Sequence, residues 1–137
     1  SEGAAYSISF EGALKTWRPL LAENGVAVIS EMNYFSNKVP DVVAKYMKHA
    51  YPGIKTESEN NDLINSSGFR VLAVHRLPSI AWWDNYYDPL RENIAALKDT
   101  GDDDVMQAVI NDTEEEMNLF RAYQDDYGYS YYIMCAV

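Results

Sequence analysis

Apolar residues near the start of the chain recur first at helical spacing and then in an unbroken run. The spacings of three and four predict a helix of about three turns. Its apolar positions are Phe10, Ala13, Leu14, Trp17, Leu20 and Leu21. An Asn24-Gly25 turn then precedes Val26-Ala27-Val28-Ile29 and the polar pair Ser30-Glu31. A short, mostly β-branched apolar run of this kind predicts a buried parallel strand, which we expect to be the central strand of a sheet.

The rest of the chain continues to alternate between predicted helices and strands. After a loop at 33–39, Pro40 opens a helix that Pro52-Gly53 ends. Residues 57–67 predict a short helix ended by Gly68. Residues 69–77 alternate as a strand, with Phe69, Val71, Ala73 and His75 on one face and Arg70, Leu72 and Val74 on the other. Helical patterns then occupy 79–127, with a break at 100–104, and an apolar strand runs through 129–137.

The composition of the chain argues against several classes of protein. The 137 residues suit one domain, and 47% apolar residues can fill a core. A formal net charge of −10 argues against a nucleic-acid partner, because phosphate contacts need clustered cations. No segment reaches the roughly 18 apolar residues of a membrane helix. The single cysteine, Cys135, favours a reducing compartment, so we expect a cytoplasmic protein.

Three segments of the chain together resemble one enzyme family. Residues 17–31 look like the helix, turn and fifth strand of class I S-adenosylmethionine-dependent methyltransferases, with Glu23-Asn24-Gly25 in place of a Pro-Gly-Gly turn. Residues 63–71 are similar to the helix, Ala-Gly-Phe turn and sixth strand, and 129–137 to the antiparallel seventh strand. The resemblance implies an α/β fold over 1–137, the C-terminal half of a Rossmann-like methyltransferase sheet, with strands five, seven and six and a helical insertion at about 79–127.

The resemblance also implies a cofactor. S-adenosylmethionine would be bound by the complete domain, and the loop after strand four, which lies beside the methionine part of the cofactor, corresponds to Ser1, Glu2 and Gly3. The chain contains no G-x-G sequence and no counterpart of the acidic residue that holds the ribose. We therefore expect a fragment that binds S-adenosylmethionine weakly or not at all by itself.

Candidate substrate-binding residues come from two regions. Glu31 ends the predicted central strand, where open α/β sheets place ligands. Tyr6 borders the methyl pocket if the resemblance holds. The inserted segment is dense in aromatic residues that could either wall an apolar or planar substrate or pack as core. They are Trp82, Trp83, Tyr86 and Tyr87. No catalytic residue is assigned, and no metal site is predicted.

The expected function is methyl transfer to a small organic substrate, with this chain inactive alone. A non-catalytic binding or assembly module with the same half-fold is the main alternative. An unrelated α+β ligand-binding domain is a weaker one, and it would need a closed three-stranded sheet. Because the resemblance leaves strand five as a sheet edge, we also expect a homodimer or other association through residues 26–29.

Overall fold

The structure is a computed structural model that describes residues 1–98 and 104–137. These residues form two units. The first contains Ser1–Leu77 and Asp126–Val137, and the second contains Pro78–Asp125. The second unit is therefore an insertion within the sequence of the first.

A four-stranded sheet is the framework of the first unit. Its strands are β1 (Val26–Tyr34), β2 (Lys55–Thr56), β3 (Phe69–Arg76) and β4 (Tyr127–Ala136). Their order in space is β2-β1-β4-β3, with β4 antiparallel to both of its neighbours and β1 parallel to β2. The last strand of the chain thus lies between β1 and β3. This is the order implied for strands five, seven and six, and the predicted α/β half-sheet is confirmed.

The first α-helix of this unit begins at Phe10 as predicted, but it ends at Trp17, before the last apolar positions of the predicted pattern, and Leu20 is 79% exposed. Helix α1 (Phe10–Trp17) has Ser9 as its N-cap, and the Ser9 Oγ accepts a hydrogen bond from the Gly12 N–H at 3.1 Å. Its end tightens into a 3-10 turn, Arg18–Leu20, which contains Pro19. Proline supplies no N–H for another α-helical bond, so the helix does not continue.

Two more helices follow β1. Helix α2 (Asp41–Ala50) begins directly after Pro40. Helix α3 (Glu57–Ser66) begins with a capping box, in which Thr56 and Glu59 exchange hydrogen bonds. Gly68 then adopts a φ of +84°, a conformation that favours glycine, and the chain enters β3.

One face of the sheet packs against α1 and α3 to form the core of the first unit. The largest fully buried members include Leu14 from α1, Ile64 from α3 and Ile29 from β1. Phe69, Tyr132 and Met134 add the contributions of β3 and β4. The core therefore joins the helix before β1 to both of the later long strands.

The expectation that the apolar run 26–29 is buried on both faces is wrong. Ile29 lies in the core, but Val26 is 57% exposed and Val28 is 43% exposed. Successive side chains of a strand point to opposite faces, so these two valines lie on the face away from α1 and α3. Strand β1 also continues to Tyr34, which lies inside the segment predicted as a loop.

Strand β3 departs from the strict alternation predicted for it. Its register with β4 shifts between Val71 and Ala73, which places a bulge at Leu72. The extra residue reverses the faces beyond it. Val74 therefore packs against the core together with Val71, whereas His75 is exposed.

The second unit is helical, as predicted. It consists of α4 (Ser79–Trp82), a π-helical turn (Trp83–Tyr87), α5 (Asp88–Lys98) and α6 (Asp104–Tyr123). Most of the predicted break at 100–104 lies outside the described residues. On α6, Ile110, Met117 and Phe120 are buried, whereas Val109 is 56% exposed. No helix in the described ranges combines the length and apolar character needed to cross a membrane.

Candidate functional site

A pocket of about 200 Å³ opens in the first unit beside the second half of β1. The segment before α1, the first turn of α1, the segment from α2 to β2, and α3 complete its wall. Its lining residues are Tyr6, Ser9, Phe10, Glu11, Glu31, Tyr51, Gly53, Lys55 and Asn60. Three aromatic rings and five polar side chains other than the tyrosines therefore meet around one small space.

Glu31 is the most unusual group in this wall, because it is a carboxylic acid that is only 3% exposed. It lies on the same face of β1 as Ile29, which is the face that packs against α1 and α3. The Tyr51 hydroxyl donates a hydrogen bond to Glu31 Oε1. Glu31 Oε2 has no partner among the described residues and is not sealed from solvent. One carboxyl oxygen is thus available to a ligand.

The electrostatics of this pair follow from burial. Loss of water raises the pKa of the Glu31 carboxyl above its ordinary value, and the hydrogen bond from Tyr51 offsets part of the rise. Burial raises the pKa of the Tyr51 hydroxyl as well, and the neighbouring Glu31 raises it further. Tyr51 therefore keeps its proton at neutral pH and remains the donor in this hydrogen bond.

A buried chain of hydrogen bonds holds the pocket wall from behind. The Asn60 Nδ2 donates to the Tyr132 Oη at 3.2 Å, and the Tyr132 Oη donates to the Asn33 Oδ1 at 2.9 Å. Asn33 lies two residues after Glu31 on β1. These bonds connect α3 through β4 to β1, so they fix the helix that carries Asn60 against the strand that carries Glu31.

A charged cluster anchors the beginning of α3 to the sheet. Arg76 donates to both carboxyl oxygens of Glu57, at 2.8 and 2.7 Å, and the Ser130 Oγ donates to Glu57 Oε1 at 2.8 Å. Burial alone would raise the pKa of Glu57, but the bonds from Arg76 and Ser130 hold it below its usual value. The Arg76 guanidinium also lies 4.2 Å from the centre of the Phe35 ring. This cluster is structural, since none of its members lines the pocket.

The segment predicted to contact the cofactor lies along the edge of β1. The Ser1 amino group donates to the Val28 carbonyl at 2.8 Å, and the Ser30 N–H donates to the Ser1 carbonyl at 2.9 Å. The Gly3 N–H donates to the Ser30 Oγ at 2.8 Å. Glu2 between them is exposed. These hydrogen bonds hold Ser1 and Gly3 against Val28 and Ser30, close to Glu31 in the sequence of β1.

The predicted substrate residues are divided between the two units. Tyr6 and Glu31 line the same pocket. The four aromatic residues of the insertion belong to the second unit, where Trp82 and Tyr87 are 9% and 1% exposed and pack against Phe120. Tyr86 is 50% exposed. The role of all four residues in binding a substrate stays a prediction.

The sequence analysis did not single out Tyr51 or Asn60. Asn60 precedes Ile64 by four residues, so it lies on the buried face of α3. A polar residue on the apolar face of a helix is a usable signal for a buried hydrogen-bond network. Tyr51 follows the end of α2 and precedes a Pro-Gly turn, and nothing in its local sequence indicates that it reaches β1.

Comparisons with known proteins agree with the fold. No profile of a known protein family matches the chain, and no curated protein is significantly similar to it. Among solved structures, YjhP from E. coli superposes with a TM-score of 0.75 at 18% identity, covering 98% of this chain and 56% of that one. A methyltransferase from Geobacter sulfurreducens in complex with S-adenosyl-L-homocysteine gives 0.73 at 16% identity, covering 98% and 55%.

A third match is phosphoethanolamine N-methyltransferase 2 from Haemonchus contortus, solved with phosphomonomethylethanolamine and S-adenosylhomocysteine. Its TM-score is 0.70 at 8% identity, covering 99% of this chain and 32% of that one. The fold is that of the C-terminal half of a class I S-adenosylmethionine-dependent methyltransferase. This chain spans about half the length of YjhP and of the Geobacter methyltransferase. Within the methyltransferase fold, β1, β4 and β3 correspond to strands five, seven and six.

Proposed function

We propose that this chain is the substrate-side half of an S-adenosylmethionine-dependent methyltransferase that acts on a small organic molecule. The pocket around Glu31 carries the proposal. It lies on the strand that holds Ser1 and Gly3, the segment assigned to the cofactor side by resemblance. An acceptor in this pocket would therefore lie near the place from which a methyl group arrives.

The residues of this chain fit one side of the cofactor only. The backbone N–H of Gly3 is already used by Ser30, and the side chains of Ser1 and Glu2 are exposed polar groups in that segment. A Cβ built at Gly3 would meet no atom within 4 Å, so this side is open. S-adenosylmethionine, when bound, supplies a methyl group on a positively charged sulfur. We propose that the chain alone binds it weakly or not at all.

The side chains of the pocket would position the methyl acceptor. Methyl transfer mainly requires alignment of the acceptor with the methyl group, and a base can assist by taking the proton that the acceptor loses. The Glu31 carboxylate is suited to that task, because burial makes it a stronger base than an exposed glutamate. Tyr51 holds this carboxylate in place through its hydrogen bond.

Calorimetric titration with S-adenosylhomocysteine tests the proposal. The ligand is titrated into this chain and into a polypeptide that adds the residues encoded before Ser1. We expect binding by the longer polypeptide and little or none by this chain. Replacement of Ser30 by alanine removes the acceptor of the Gly3 N–H, and should weaken binding by the longer polypeptide. Binding by neither polypeptide would overturn the proposal in favour of a non-catalytic binding or assembly module.

A further inference from the structure

We infer that the pocket around Glu31 binds the ammonium group of a small organic amine. The inference deepens the proposed function and rests on it in one respect, namely that the amine is the methyl acceptor. An ammonium nitrogen has no free electron pair, so in that role it would first transfer its proton to the Glu31 carboxylate and then accept the methyl group as the neutral amine. The binding property itself depends only on residues of the first unit.

The available carboxyl oxygen of Glu31 is the first observation. Only 3% of the surface of Glu31 is exposed. Its Oε2 has no donor among the described residues. A buried carboxylate gains most from a ligand that carries positive charge, since the attraction between the opposite charges offsets the loss of the carboxylate's hydration.

The other charges around the pocket favour the same ligand. Glu11 adds a second carboxylate to the wall, and its side chain forms an ion pair with Lys15 at 2.6 Å. Lys55 is the cationic residue of the wall, so the wall carries two carboxylates against one ammonium. Among the described residues, no Lys or Arg side chain forms a salt bridge with Glu31. An anionic ligand would therefore meet an uncompensated carboxylate.

The aromatic residues supply the rest of the environment. Tyr6, Phe10 and Tyr51 line the pocket, and the faces of aromatic rings attract cations, including methylated ammonium groups. The volume of about 200 Å³ is below the roughly 300 Å³ at which pockets begin to take drug-sized ligands. The pocket therefore suits a head group of a few heavy atoms. A metal ion is a poor alternative, because the described residues contain no group of three or more His, Cys, Asp or Glu side chains that could hold one.

A pair of probes with the same shape and different charge tests the inference. Choline and its uncharged carbon isostere, dimethylbutanol, are each titrated into this chain without S-adenosylhomocysteine, and binding is followed by amide chemical shifts in NMR spectra. We expect saturable binding of choline, with shifts at residues of the pocket, and binding of the isostere about tenfold weaker. Equal binding of both probes, or no saturable binding of choline, would overturn the inference.

Two isosteric variants separate the local charge of Glu31 from the overall charge of the protein. Glu31→Gln should weaken choline binding by about tenfold. Glu23→Gln removes the same charge at the opposite end of β1 and should leave binding unchanged. Circular dichroism verifies that both variants are folded. If Glu31→Gln does not fold, the comparison of choline with its uncharged isostere on the unmodified chain still decides whether the pocket binds a cation. If choline does not bind as expected but the longer polypeptide binds S-adenosylhomocysteine, the amine site is overturned and the proposed methyltransferase function stands.

Discussion

Burial of the Glu31 carboxyl group opposes folding but suits a binding site. A buried carboxyl group loses its water, and a single hydrogen bond from Tyr51 replaces only part of that hydration. By contrast, Glu57 has two hydrogen bonds from Arg76 and one from Ser130. The two acids accordingly have pKa values shifted in opposite directions. Glu57, with both carboxyl oxygens hydrogen-bonded, holds α3 against the sheet. Glu31, with one oxygen hydrogen-bonded, lines the pocket.

This conflict predicts a pH-dependent gain in stability for Glu31→Gln. The pKa of Glu31 is raised by folding, so the folded protein prefers the neutral acid, and the unmodified protein loses stability as pH rises from the ordinary glutamate pKa through the raised value. Glutamine is neutral throughout and can still accept the hydrogen bond from Tyr51. We expect the variant to gain about 1 kcal/mol relative to the unmodified protein between about pH 5 and about pH 8.

Urea unfolding of both proteins at the two pH values measures this difference. Glu23→Gln, at an exposed position, is the control and should show no such trend. A free-energy difference between Glu31→Gln and the unmodified protein that stays constant or falls with pH would contradict the assignment of a raised pKa to Glu31.

At the scale of elements, β4 is the strand that organises the first unit. It pairs with β1 on one side and β3 on the other, and its Tyr132 hydroxyl connects Asn60 of α3 with Asn33 of β1. Since this hydroxyl is buried, water cannot replace it when it is removed. This one oxygen atom is therefore the buried polar link between α3 and β1.

Removal of that oxygen by Tyr132→Phe should destabilise the protein by about 2 kcal/mol, because it leaves a buried donor and a buried acceptor without partners. Tyr131→Phe is a matched control on the same strand, since Tyr131 lies on the opposite face and is only half-buried. Its cost should stay within about 0.5 kcal/mol. Chemical denaturation measures both, and equal costs for the two variants would contradict a structural role for the Tyr132 hydroxyl.

The elements that the sequence predicted correctly are those with local signals. Helix α1 has an apolar face and a serine cap within a dozen residues, and α3 ends at a glycine that adopts a positive φ. Strand β2 was missed because two residues show no periodicity. The bulge at Leu72 was missed because it depends on the register with β4, a strand that lies more than fifty residues further along the chain.

The candidate site was predictable in part for the same reason. Glu31 was predicted because the apolar run ends just before it, although β1 continues to Tyr34, and Tyr6 was predicted from resemblance. Tyr51 and Asn60 enter the site through contacts across 20 and 72 residues of sequence, with Glu31 and Tyr132. Spacing within one element cannot reveal contacts of that kind, which arise only when α2, α3 and the sheet have packed.

At the scale of the whole molecule, the outer edge of β1 bears on association between copies of the chain. Ser1 pairs with this edge at Val28 and Ser30, and β2 pairs with it at Asn33 and Tyr34. Part of the predicted sheet edge is therefore already occupied. Val26 and Val28 nevertheless expose 57% and 43% of their surface beside it, and exposed apolar residues along a strand favour pairing with another chain.

We therefore expect self-association through residues 26–29, which sedimentation velocity can detect as a rise in sedimentation coefficient with concentration. Val28→Lys should abolish it, because a charge on an exposed strand opposes pairing. Leu72→Lys is the matched control: Leu72 is 46% exposed, but it lies on β3, at the other edge of the sheet.

The net charge of −10 repels copies of the chain from one another, so added salt should strengthen association of the unmodified protein. A monomer at every concentration and salt level, or equal effects of the two lysines, would contradict association through β1.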